Sequence, residues 1–124
     1  MFELSQSFYF ESAHTLRRKV ERNEADGSRR VHGHTYTAEV SVRGQIDPET
    51  GMVVDLAVLR AAIAAVRAKL DHHFLDEVPG LGAPTLENLC VFIHKQLSAA
   101  VPGVCKVSVE RKSSGDRCSY RPAA

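Results

Sequence analysis

No apolar run in the 124-residue chain approaches the ~20 residues that a membrane-spanning helix needs, which excludes a helical membrane span. The first residues, Met1-Phe2-Glu3-Leu4, lack the basic start and apolar stretch of a secretion signal. Cysteine is scarce, with three residues at irregular spacing, so a disulfide framework is not expected and a reducing compartment is. An excess of charge is missing too: the formal net charge is +1, which gives no global reason for binding nucleic acid or a membrane surface. Repeats and low-complexity stretches are absent, and no boundary suggests itself. These absences leave one domain spanning residues 1–124, placed in the cytoplasm. Its 44% apolar and 25% charged residues are ordinary for a packed core with a solvated surface.

The chain is organised around His32-Gly33-His34-Thr35-Tyr36. Even positions from His32 run through His34, Tyr36, Ala38, Val40 and Val42; odd positions carry Thr35, Thr37, Glu39, Ser41 and Arg43. This period of two predicts a strand from about His32 to Gly44 with one apolar and one wet face. Histidines at i and i+2 project to the same side, so two imidazoles can reach one ion, and Gly33 leaves room for close backbone approach. A third ligand is needed for a convincing site. Phe2, Leu4, Phe8 and Phe10 share even parity along a first strand that continues through Ser12 to His14. His14 is either a satisfied buried histidine or that third ligand, and the presence of His32 and His34 favours the ligand.

Between the strands, residues 17–30 carry six basic and three acidic side chains. Two readings stand: a solvated loop, or an electropositive lip for an anionic substrate such as a phosphate ester. Asp47-Pro48-Glu49-Thr50-Gly51 is turn chemistry. Asp55 then caps a helix with Leu56, Leu59, Ile63, Val66 and Leu70 as its buried stripe. Asp71-His72-His73 follows, either as a helix end with histidines near the negative dipole or as a loop in which the carboxylate orients an imidazole. Thr85 caps a second helix, with Leu86, Leu89, Ile93 and Leu97 buried; Cys90 and His94 read as packing or surface residues. Val104 to Arg111 is a strand, with Cys105, Val107 and Val109 assigned to one face and Lys106, Ser108 and Glu110 to the other. A turn over residues 112–116 leads to a short edge strand. The expected class is α+β: a four-stranded antiparallel sheet with two helices on one face.

Taken together, Phe8-Tyr9-Phe10-Glu11-Ser12-Ala13-His14, His32-Gly33-His34, residues 47–55, Leu70-Asp71-His72-His73-Phe74-Leu75, Pro84-Thr85-Leu86-Glu87-Asn88 and Cys118-Ser119-Tyr120-Arg121 resemble the 6-pyruvoyl-tetrahydropterin synthase and 6-carboxytetrahydropterin synthase family, with the queuosine-pathway branch nearest. The resemblance implies the tunnelling fold, whose sheets close into a barrel in an oligomer, commonly a hexamer, with sites at subunit boundaries. It implies one Zn2+ held by His14, His32 and His34, and a small pterin substrate, 7,8-dihydroneopterin triphosphate. It implies that Glu110 anchors the pterin, that Thr85 contacts substrate, and that Asp71 and His72 move a proton. One departure is plain. The family's general base is a cysteine four residues before the first histidine of His-Gly-His, and that position is Ser28. Candidate replacements are Cys118, His72 with Asp71, or Glu24 and Asp26.

Overall fold

A computed structural model describes residues 1–16 and 30–123. Strands β1 (Phe2–His14) and β2 (His32–Gly44) pair antiparallel along their whole length, with Phe2 opposite Gly44 and His14 opposite His32. Strand β3 (Val104–Arg111) lies on the other side of β2, and β4 (Asp116–Tyr120) closes the order β1-β2-β3-β4. All pairings are antiparallel. Helices α1 (Leu56–Leu70) and α2 (Leu86–Ser98) bury their stripes against one face. The expected four-stranded α+β architecture is therefore the architecture observed. No described helix is long and apolar enough to cross a membrane.

Both helix starts are as the sequence predicts. Asp55 accepts a hydrogen bond from the Ala57 amide at 2.8 Å, and Thr85 accepts one from the Asn88 amide at 3.1 Å. Each satisfies an amide that the first turn leaves without an intrahelical partner. The core runs from Phe10 and Tyr36, whose rings stack 4.9 Å apart, through Val40 and Val107 to Leu59, Ile93 and Leu97. Cys90 is part of it, fully buried on α2. His94 is half-buried, with Nε2 3.3 Å from the Val104 carbonyl and 3.2 Å from the Ser98 hydroxyl.

One strand assignment needs correction. The β2–β3 register slips between Ser41 and Val42, so that Ser41 faces Lys106 while Val42 faces Val104. Cys105 is the extra residue of this bulge, which turns it out of the row of Val107 and Val109. Its thiol donates to Glu3 Oε1 at 3.4 Å, on the sheet face away from the helices. Val104 takes the core position instead. Gly103 enables the approach: its φ is +86°, and an added Cβ would lie 2.7 Å from the Arg43 carbonyl oxygen.

After α1 the chain returns to the free edge of β1. The His72 amide donates to the Glu11 carbonyl at 2.7 Å, and the Ala13 amide donates to the His73 carbonyl at 3.2 Å. Phe74 forms a parallel bridge with Ala13. A 3-10 turn at Leu75–Glu77 follows, and Asp76 from it binds both the amide and the hydroxyl of Thr15. The last turns of β1 are thus held in place next to His14.

Candidate metal centre and its surroundings

The pairing of β1 with β2 brings the three predicted ligands together. His14 sits directly across from His32, and Ser12 across from His34, so the three imidazoles share the face of Phe10 and Tyr36 at one end of the sheet. Ring centroids lie 4.4 Å apart for His14–His32, 4.8 Å for His14–His34 and 5.0 Å for His32–His34. One nitrogen from each ring falls within 4.8 Å of the others. Three tetrahedral ligands around one small ion need a separation of this order after slight ring rotation.

The hydrogen bonds divide the ring nitrogens into two kinds. His14 Nδ1 lies 3.2 Å from the Thr15 carbonyl, and His32 Nδ1 lies 2.8 Å from the Arg30 carbonyl. A carbonyl only accepts, so each Nδ1 carries the proton and each Nε2 keeps a lone pair. His14 Nε2 is buried and has no partner among the described residues. An orphaned acceptor there is costly unless something binds it. Carbonyl-oriented imidazoles of this sort are the usual outer support of a metal site.

Electrostatics disfavour the charged forms of His14 and His34. Burial lowers the pKa of His14 first, followed by the neighbouring His32. Burial, then His14 and the Arg111 guanidinium, push His34 down to about 4. Neutral imidazole is the ligand form, so the donor set fits a divalent cation, and zinc in particular suits three imidazole nitrogens.

Asp71 and His72 belong to the loop after α1, not to the helix. Asp71 Oδ1 accepts the Glu11 amide at 2.9 Å, and Arg67 lies 3.1 Å from Oδ2. The amide hydrogen bond is the main reason the Asp71 carboxyl is held below its usual pKa, so it remains an anion. His72 Nε2 lies 3.9 Å from Asp71 Oδ1 and 3.9 Å from Glu11 Oε2, within hydrogen-bonding reach after a small shift. His72 has a positive φ of 57° and a side chain that is 78% exposed. It borders the same cleft as His34, Gly33 and Thr35. Features of both readings of this segment are present: Asp71 is the C-cap of α1 with the histidines directly after it, and its carboxylate lies 3.9 Å from the His72 imidazole.

The remaining candidates are dispersed. Glu110 lies opposite Thr37, on the sheet face away from the helices, and pairs with Arg117 at 3.7 Å. Within one chain it therefore lies on the opposite face from the imidazole triad. Cys118 lies opposite Val109 and packs on α2, where the Cys90 thiol donates to its carbonyl at 3.5 Å. Burial and the nearby Cys118 push the Cys90 thiol up to about 12. Arg117 points to the other face, so it does not serve Cys118 as a cationic neighbour. Thr85 spends its hydroxyl on the α2 cap. Ser28, Glu24 and Asp26 lie outside the described residues, as does most of the charged segment.

Three contributors were not singled out from the sequence. Arg111 donates from Nη1 toward His34 Nε2 at 3.5 Å and pairs through Nη2 with Asp116 at 3.0 Å. Its signal was parity, since Arg111 continues the row of Val107 and Val109. Glu11 faces His72, and Asp76 secures Thr15; neither has a sequence signal of its own, because each partner is distant along the chain.

Residues 3–123 match the family described as 6-pyruvoyl tetrahydropterin synthase. A Synechocystis 6-carboxy-5,6,7,8-tetrahydropterin synthase is 36% identical, over 88% of this chain and 85% of the relative. The human 6-pyruvoyl tetrahydrobiopterin synthase is 34% identical, over 81% and 77%. A Pyrococcus furiosus dihydroneopterin monophosphate aldolase is 33% identical, over 79% and 76%. Among solved structures, the Caenorhabditis elegans 6-pyruvoyl tetrahydropterin synthase superposes with a TM-score of 0.84 at 26% identity, covering 98% of this chain and 96% of that one. With the family matched over residues 3–123 and a relative 36% identical over most of both chains, this protein belongs to the 6-pyruvoyl tetrahydropterin synthase family.

Proposed function

We propose that the protein catalyses a zinc-dependent conversion of 7,8-dihydroneopterin triphosphate to 6-carboxy-5,6,7,8-tetrahydropterin, a step of queuosine and 7-deazaguanine synthesis. The observation that carries this reading is the His14–His32–His34 cluster, with its ligand atoms within 4.8 Å and its buried, unpartnered Nε2 on His14. The choice of product is supported by the name of the Synechocystis relative. The human and Pyrococcus relatives supply the alternative, a pyruvoyl-tetrahydropterin synthase or a side-chain aldolase on the same scaffold.

His14, His32 and His34 would hold the zinc, which would supply Lewis acidity toward a substrate hydroxyl. The chain's own residues do the rest. His72 faces Asp71 with Nε2, so it exchanges the substrate proton at Nδ1, and Asp71, anchored by the Glu11 amide, is the anion beside the ring. A serine at position 28 replaces the family's cysteine, and an unassisted hydroxyl is a far weaker base than a thiolate at neutral pH. That assigns the main acid–base role to His72. Cys118, packed against α2, is read as structural. Glu110 serves as the pterin anchor, accepting two hydrogen bonds from the amino-pyrimidine edge. Because it lies across the sheet from the triad of its own chain, it serves a triad contributed by another subunit. This supports a homo-oligomer with sites at subunit boundaries, a homohexamer on the family resemblance, which also covers the open sheet face that an isolated chain exposes. The partner is a small-molecule pterin, not nucleic acid or membrane, and the compartment is the cytoplasm.

The test is incubation of zinc-loaded protein with 7,8-dihydroneopterin triphosphate and mass analysis of the products. Formation of 6-carboxytetrahydropterin supports the reading. A pyruvoyl product or a shortened side chain selects the alternative. Bound but unchanged substrate identifies a pterin-binding protein without catalysis, a reading that Ser28 specifically favours.

A further inference from the structure

Arg111 places a permanent cation next to three groups that would hold another. It follows Glu110 on β3 but faces the opposite way, toward His34. Its guanidinium is held there by Asp116 across the turn, and Asp116 Oδ2 is itself held by the Ser114 hydroxyl at 2.8 Å. Of its five N–H donors, one serves Asp116 and another reaches His34 Nε2 at 3.5 Å, the outer limit of a hydrogen bond. Nε is buried and unpartnered among the described residues. The metal-ligating cluster found among those residues consists of histidines alone, so none of its ligands is a carboxylate, and Asp116 is paired with the guanidinium. With Nη1 3.5 Å from His34 Nε2, the field of the guanidinium opposes any added positive charge at the triad.

We propose that Arg111 couples metal binding at the triad to binding of a phosphoryl-type oxyanion, weakening the bare metal site and recruiting the anion as the metal's companion. A dication and a guanidinium in a partly buried site repel unless an anion lies beside both. The unused guanidinium N–H groups are the donors that such an oxygen anion takes. The reciprocity of linked binding then makes anion and metal each tighten the other. For a phosphorylated substrate, Arg111 is thereby a positioning residue that admits the metal's full affinity only with the right charge present. This rests on the reading of the triad as a metal site.

The experiment is a chelator-competition titration of zinc on the full chain, with and without methylphosphonate. Arg111→Met, which keeps the aliphatic stem, is expected to bind zinc roughly tenfold or more tightly than wild type without the anion. Methylphosphonate is expected to tighten zinc in wild type and not in Arg111→Met. Asp116→Asn, at a half-exposed turn position, reads the same interaction with the opposite sign, because releasing the guanidinium from its carboxylate weakens zinc binding. That arm stands even where Arg111→Met fails to fold. Equal zinc affinity in wild type and both variants, or an equal anion effect in wild type and Arg111→Met, overturns the coupling alone. Absence of zinc from wild type overturns the metal reading and the coupling with it.

Discussion

The imidazole triad and the Asp71–His72 pair meet at one cleft, bordered by His34 and His72, but are built in different ways. His14, His32 and His34 stand on two strands whose residues pair one to one, so the backbone places their rings before any ligand arrives. His72 stands on a loop tied to the edge of β1 by its own amide, with its ring largely in solvent. A metal site needs three atoms fixed within a few ångströms of one another, and paired strands supply that. A proton carrier needs hydrogen-bond reach only at the moment of transfer, and a loop end is sufficient. Under the proposed function the difference separates metal binding from acid–base chemistry, so variants at the two places should fail in different ways.

The largest expected effect is at the triad. His34→Ala removes one of three ligands, and zinc should fall from one per chain to near zero after dialysis against a chelator, with the fold intact by circular dichroism. One zinc per chain retained by this variant breaks the comparison at its first term. Next comes His72→Ala. Zinc content should stay at the wild-type level while turnover of 7,8-dihydroneopterin triphosphate falls about 10²–10⁴-fold. Cys118→Ser should leave turnover near wild type; the reverse pattern would move the acid–base role to the thiol. Restoration of a faster rate by Ser28→Cys would show that the usual base has been lost without full replacement.

A smaller effect separates capping from substrate contact at Thr85. Thr85→Ala should cost about 1 kcal/mol of stability in a denaturant titration, as loss of a helix cap does, and leave KM unchanged. A raised KM at undiminished stability would return Thr85 to the substrate site. The smallest effect is on pH dependence. The unfolded chain protonates His34 near 6.5, whereas the folded chain resists until about 4. Between those values the unfolded state binds more protons, so the metal-free protein should lose stability as pH falls through that window and regain it above 6.5. A flat midpoint across the window in chemical denaturation contradicts the assigned environment of the ring.

The same contrast explains what was legible in the sequence. Parity alone placed His32 and His34 with Tyr36, and His14 with Phe10, because a strand alternates its side chains without exception while it stays regular. Parity failed at Cys105, where a bulge after Gly103 inserts a residue and reverses the faces. The helix stripes and both caps were legible for a similar reason: their periods are local. The contacts of Glu11 with His72 and of Asp76 with Thr15 join residues about sixty positions apart, and no local pattern encodes such a meeting. Arg111 falls on the parity of Val107 and Val109, next to Glu110 on the opposite one. The opposite faces of Glu110 and the triad follow the same parity, with Glu110 away from the row of Val107 and Val109 and the histidines on the apolar side.

X-ray absorption at the zinc edge of the loaded protein tests the central claim most directly, since it reads the ligand atoms themselves. Three imidazole nitrogens at ~2.0–2.1 Å with one further light atom is the result the account predicts. A sulfur shell at ~2.3 Å would put a cysteine on the metal and contradict it.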